Sequence, residues 1–279
     1  AGFRRGAEAV LVTSEDYYGR ISPDTLKRYA EACHKAGIPL ICDNSHGTHL
    51  AFWNNGTLHP LKCGADVVID SAHKTLPALT GGAFLHLNGC AAEKWREYLA
   101  SMRVFGSTSP SYLIASSLEK SAFYMADHPE ALEELKTRID TLRNSVSDKC
   151  AFLPADASDP FRLTLLSDAP ARLDAHLAEK GVISEFHDDF GVVLIPSVMN
   201  TQTDFDRLTS ALLSSDSHPG NIPYPAHEHH SADVLPADAL LAKKSLTGIA
   251  SRPVYAYPPG TALVHIGEKL PHGQKAIEF

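Results

Sequence analysis

The sequence predicts an α/β fold, with a mostly parallel sheet flanked by helices, followed by a smaller α+β domain. Two observations carry this. Apolar segments at 10–13, 38–42, 65–69 and 83–87 are separated by helical or polar stretches over the first half of the chain. Segments apolar on both faces need cover on both faces, the condition of a parallel sheet between helix layers. From about residue 150 the spacing of strand and helix patterns changes, which marks the second domain. The expected boundaries are 1–149, 150–217 and a linker with a C-terminal segment at 218–279.

The elements follow in order. Val10 to Thr13 reads as a strand that ends at Tyr17-Tyr18-Gly19. Ser22-Pro23-Asp24 caps a helix over 25–36, with Leu26, Tyr29, Ala30 and Cys33 at helical spacing and Gly37 as its stop. Strand 38–42, a polar loop with a short helix, strand 65–69 and strand 83–87 come next, then a helix over 91–101. A long helical region spans 111–148 and breaks at His128-Pro129. The second domain reads as strand 161–165, helix 169–180, strand 192–195 and helix 204–214. A Pro- and His-rich linker over 218–230 leads to a helix near 236–246 and the run Tyr257-Pro258-Pro259-Gly260.

Bulk properties exclude several function classes. The 279 residues carry a formal net charge of −8, which offers no basic surface to nucleic acid and no polybasic patch to a membrane. No apolar run approaches the roughly 20 residues of a membrane span. No hydrophobic stretch follows Ala1–Gly6, so a secretory leader is not expected. Cys33, Cys42, Cys63, Cys90 and Cys150 form no CxxC pair and read as the reduced thiols of a cytoplasmic protein. The chain opens almost directly into a strand and reads as the interior of a longer protein.

Two residues carry the chemistry. Asp43 follows strand 38–42, and Lys74 follows strand 65–69 within Ser71-Ala72-His73-Lys74. Ligands of open α/β sheets bind outside the carboxyl ends of the strands, where both fall. A lysine after a strand is usually a surface residue, and an aspartate there is usually a turn former. Together, one α/β unit apart with small polar neighbours, they meet the demands of pyridoxal phosphate (PLP). A lysine desolvated at a buried strand end can condense with the aldehyde. A carboxylate keeps the pyridine nitrogen protonated. Ser71 and His73 lie within reach of the phosphate, and Ser45 and His46 could supply a ring face and a donor to the phenolic oxygen. No metal is expected: His46 with His49, and His227 with His229 and His230, lack HExxH or CxxC spacing.

These residues sit in longer motifs. Asp43-Asn44-Ser45-His46-Gly47-Thr48-His49 resembles the D-E-A-H-G-A-H run of the Orn/Lys/Arg decarboxylase family, and Ser71 to Thr80 resembles its S-x-H-K-T-L-P-A-L-T run. Tyr17-Tyr18-Gly19, Ser107-Thr108-Ser109-Pro110-Ser111-Tyr112 and Tyr257-Pro258-Pro259-Gly260 are similar to further motifs of that family. The resemblance is dense over 9–119, thin in the middle, and returns near 245–270. It implies a fold type I PLP-dependent enzyme, transferase-like in architecture, acting as a homodimer with active sites shared between subunits. Lys74 would form the Schiff base and Asp43 the pyridinium salt bridge. Ser71 and His73 would bind the phosphate, and Thr108 and Ser109 would reach the cofactor of the partner subunit. Lys74 or His73 would return the proton after carbon dioxide leaves.

Three departures qualify the expectation. An N-terminal part of the family's large domain is not contained in these residues. Asn44-Ser45 stands where Glu-Ala is commoner, and Ser251-Arg252 stands where many members carry Ala-Glu. The reaction expected is decarboxylation of an arginine-, lysine- or ornithine-class substrate. The alternatives are transamination, C–S or C–C lysis on the same cofactor, and a non-catalytic fragment.

Overall fold

In a computed structural model, residues 7–154, 159–188 and 190–220 are described, together with the backbone of 254–256 and 261–264. Strands β1 (Val10–Thr13), β2 (Leu40–Asp43) and β3 (Val67–Asp70) lie side by side and parallel. Strand β4 (Phe84–Leu87) closes the row antiparallel to β3. Thr13 pairs with Asp43 and Asp43 with Ile69, so the carboxyl ends of the three parallel strands are level.

Helix α1 (Pro23–Ala36) crosses between β1 and β2. Pro23 opens it, and Gly37, at φ 71°, closes it by donating its N–H to the carbonyls of its last turn. Leu26, Ala30 and Cys33 are buried, but Tyr29, expected on the same face, is 42% exposed. Ser22 does not cap the backbone; its hydroxyl donates to Thr25 Oγ1 at 2.7 Å. The residues of α1 join Leu40, Cys42, Cys63, Ala65 and Val68 in one apolar core. Strand β1 has one neighbour in this sheet and alternates, with Leu11 68% exposed, where cover on both faces had been expected.

Helix α2 (Ala72–Thr75) is a single turn after β3 and carries Lys74. The helix predicted over 91–101 is two helices, α3 (Gly89–Glu93) and α4 (Trp95–Phe105), which meet at the non-helical Lys94. Helices α5 (Tyr112–Asp127) and α6 (Glu130–Ser145) part at His128, the residue before Pro129.

The second sheet is antiparallel throughout, in the order β5 (Ala151–Phe152), β6 (Leu163–Leu166), β8 (Gly191–Leu194), β7 (Phe186–His187). Its two-residue edge strands are too short to leave a periodic signal. Helix α7 (Pro170–Glu179) precedes β7. Helix α8 (Gln202–Leu213) starts at a reciprocal capping box between Thr201 and Asp204. A larger core joins Ala72 and Leu76 beside α2 to Leu135 and Ile139 of α6 and to Leu163, Leu177, Val192 and Leu212. The residues flanking Lys74 therefore belong to the same core as the second sheet.

Residues 1–221 form one compact unit and residues 222–279 a second. In the second, β9 (Val254–Ala256) and β10 (Thr261–Val264) pair antiparallel. The linker beyond residue 220, the helix near 236–246, Arg252 and Tyr257–Gly260 lie outside the described residues. All five cysteines are free thiols. Among the described residues no helix is long and apolar enough to cross a membrane.

Ile139 has no exposed surface and sits in the shared core. Its replacement by alanine is expected to destabilise the 1–221 unit by about 2–5 kcal/mol, read as a lower urea midpoint with the slope unchanged.

Candidate active site

Asp43 ends β2 half-buried. Ser45 turns back onto it, its N–H reaching Oδ1 at 3.0 Å and its hydroxyl donating to the same oxygen. One strand over, Ser71 occupies the cap position of α2 without bonding the helix through its side chain. Lys74 follows on α2, exposed, whereas its place after a buried strand had suggested a desolvated amine. The strand β3 is buried, but the one-turn helix lifts Lys74 clear of it.

Successive strand residues face opposite sides, so Asn44 and Asp70 point away from Asp43. They form a polar row across all four strands. Ser14, after β1, donates to Asn44 Oδ1 at 2.6 Å, and Asn44 Nδ2 donates to Asp70 Oδ1 at 2.6 Å. Asp70 Oδ2 receives His59 Nε2 at 3.1 Å and His86 Nε2, from β4, at 2.8 Å. Burial raises the Asp70 pKa, but the bonds from His59, His86 and Asn44 outweigh it and hold the carboxyl down at about 2.

Among the described residues, His59, Asp70 and His86 are a group with donors close enough for a metal ion. The Leu61 N–H donates to His59 Nδ1 at 3.3 Å, so the ring proton sits on Nε2 and points at Asp70. The nitrogen a metal would need is already a donor, and the group is a hydrogen-bond hub. Sequence reasoning missed it because His59 and His86 lie in different elements from Asp70, with no spacing motif.

The two histidines of the expected site take opposite tautomers. His73 Nδ1 lies 3.0 Å from the Gly82 carbonyl, which only accepts, so Nδ1 holds the proton and Nε2 keeps its lone pair. His46 Nδ1 lies 3.2 Å from Arg162 Nη1, which only donates, so the His46 proton sits on Nε2. Burial first, then the charges of Arg162 and Lys74, lower the His46 pKa to about 3. Arg162 was not anticipated from sequence; it comes from the second sheet, far along the chain. It is buried with Glu15 at 2.5 Å, near Asp159, which pairs with His49 at 3.0 Å. Burial and the Asp159 charge push the Glu15 carboxyl well up, while His49 and Arg162 overcome burial and lower Asp159. His46 and His49 thus serve separate partners. Thr108 and Ser109 are exposed on the turn between α4 and α5, outside this hydrogen-bonded group.

The profile of Orn/Lys/Arg decarboxylase, major domain, matches residues 4–162, more than half of the chain. The chain belongs to the Orn/Lys/Arg decarboxylase family. This member is 29% identical to the uncharacterized protein YaaO of Bacillus subtilis over 95% of this chain and 60% of that protein. It is 25% identical to an arginine decarboxylase of the same organism over 94% of this chain and 59% of that protein. It therefore spans about three fifths of the length of the curated relatives it matches. A constitutive lysine decarboxylase of E. coli superimposes with a TM-score of 0.61 at 16% identity, over 94% of this chain and 52% of that one. SPT, solved with its PLP internal aldimine, superimposes at 0.59 with 16% identity, over 75% and 55%. The fold of this family member is that of the fold type I PLP-dependent enzymes.

Asp70 titrates lower folded than unfolded, so its contribution is present above the unfolded pKa near 4 and lost as pH falls toward about 2. Asp70→Asn is expected to remove this acid-limb contribution, on the order of 2 kcal/mol, and to lower stability at neutral pH through a broken hub. Urea midpoints of both proteins between about pH 2.5 and 7 check this; parallel curves would contradict it.

Proposed function

We propose that the chain binds PLP through Lys74 and acts in decarboxylation of a basic amino acid of the arginine, lysine or ornithine class. The observation that carries the reading is the pairing of strand ends. Asp43 closes β2, Lys74 follows β3, and the two strands are in register at Asp43 and Ile69 within the family-matched segment. The donor set fits the cofactor: a carboxylate, an amine, a hydroxyl free of its own helix, and an imidazole N–H. When bound, the cofactor would supply a sink for the electron pair left by carbon dioxide.

The residues divide the work. Lys74 Nζ, exposed, is open to attack an aldehyde carbon. Asp43, anchored by Ser45, holds a proton on a ring nitrogen placed against it. His46 presents Nε2–H as a donor, and Ser71 offers its hydroxyl to the phosphate. His73 supports a phosphate only when protonated; neutral, its Nε2 can take up and return a proton beside Lys74. Thr108 and Ser109 would reach the cofactor of a second copy. Support for that copy comes from Val104, Phe105, Tyr112 and Leu113, which flank the turn and are 77%, 90%, 85% and 75% exposed. Helix α4 buries no residue within its own unit. Large apolar side chains clustered in water mark a contact face.

With PLP added, an absorbance band of a protonated Schiff base is expected, and borohydride should fix the cofactor onto the peptide containing Lys74. Lys74→Ala should abolish both. Release of carbon dioxide from arginine, lysine or ornithine supports decarboxylation; keto acid instead would identify a transaminase, and no band would refute the reading. Phe105→Asp is expected to shift the protein from dimer to monomer in light scattering, with far-UV circular dichroism unchanged and the concentration dependence of the thermal midpoint lost.

A further inference from the structure

We propose that Arg162 is a positioning residue for His46, holding that imidazole as the tautomer whose proton lies on Nε2, the nitrogen left for the ligand at Lys74. The identity of that ligand rests on the proposed function; the tautomer does not.

The guanidinium is held through its two terminal nitrogens. It is 1% exposed, and its two terminal nitrogens have different tasks: Nη2 meets Glu15 Oε1 at 2.5 Å, and Nη1 meets His46 Nδ1 at 3.2 Å. A guanidinium offers no acceptor, so it can face Nδ1 only when that nitrogen carries a lone pair. The backbone of Arg162 is held too, its N–H donating to the Asp159 carbonyl at 3.1 Å and its carbonyl accepting from Arg143 Nη2 at 3.1 Å. The turn at Tyr17-Tyr18-Gly19 is shaped around the stem. Gly19 has φ 87°, and a Cβ there would lie 2.5 Å from Arg162 Cγ. Tyr17 sets its ring edge-on to His46, centroids 4.9 Å apart, which fixes the ring plane. Burial and the adjacent Arg162 charge both disfavour charging His46, so the single ring proton has one place to go.

Lysine at 162 would keep the positive charge but has one terminal nitrogen where arginine has two. The test is long-range proton–nitrogen NMR of the whole ¹⁵N-labelled chain. In the wild type, His46 Nδ1 should give a pyridine-type shift and Nε2 a pyrrole-type shift, with no titration down to about pH 5. A proton on Nδ1 would overturn the proposal without any variant. In Arg162→Lys the tautomers should mix, with the Nδ1 and Nε2 shifts moving toward each other; a folded variant with the wild-type His46 signals would also overturn it. With PLP present, the pH midpoint of the Schiff-base band should move in Arg162→Lys but not between His46→Gln and the double variant, since the effect passes through His46. A shift that persists without His46 would overturn the proposal. Absence of the band in the wild type would sink the PLP reading and leave the NMR result to decide the tautomer alone.

Discussion

The carboxylate of Asp70 ties together elements that share no continuous backbone. Its two oxygens collect Asn44 from the end of β2, His59 from the loop before β3, and His86 from β4, while Ser14 extends the row to β1. Buried without partners, an ionised carboxylate would be severely penalised; with three donors it stays charged down to about pH 2. Removing one donor would cost more than a single exposed bond, because the remaining charge would be buried and under-satisfied. Asp43 leaves the same strand ends on the opposite face, and Ser71 to Lys74 follow directly from Asp70. The geometry of the candidate site is thus set from behind, by a polar layer on the face opposite Asp43.

A second constraint comes from the other sheet. The core that contains Ala72 and Leu76 is shared with α6, β6, α7 and α8, so the turn carrying Lys74 cannot shift without disturbing that packing. Arg162 crosses the same boundary with charge. It enters beneath Tyr17-Tyr18-Gly19 and ends on His46, joining the first strand's turn, the turn after Asp43 and the second sheet in one buried cluster. Burial and the Asp159 charge push the Glu15 carboxyl up, while His49 and Arg162 hold Asp159 down. Each buried charge in the cluster faces a group of opposite sign or a hydrogen-bond partner: Arg162 meets Glu15, and Asp159 meets His49.

Much of this was legible in the sequence, for a physical reason in each case. The apolar runs at 38–42 and 65–69 showed the parallel strands because both are short continuous apolar segments bounded by polar turns, although within β2 buried residues alternate with partly exposed ones. Pro129 marked the break between α5 and α6, and Gly37 the end of α1. Asp43, Ser71, His73 and Lys74 stood out as candidates because they are local to strand ends. What escaped is non-local. Asp70 stands between the strand pattern and the lysine motif with no signal of its own, and its partners stand 11, 16 and 26 residues away in separate elements. Arg162 lies 116 residues from His46. The two-residue strands β5 and β7 carry no period. The exposure of Lys74 was misjudged because a strand pattern reports the burial of the strand and says nothing about a one-turn helix that follows it.

That exposure bears on how the site can work. Condensation with an aldehyde and stabilisation of developing charge are both favoured when water is excluded. Yet Lys74 is exposed, and Asp43, Ser71 and His73 are only partly covered within this unit. The ligand itself would cover some of them, and the exposed apolar side chains of α4 and α5 flank the turn at 107–109, where the proposed second copy would dock. A second copy brought there would carry its own exposed Thr108 and Ser109. The buried network behind the strands and the open surface before them then have distinct tasks. The first holds the amine and the carboxylate in place while unliganded, and the second leaves the closing of the site to whatever binds over it.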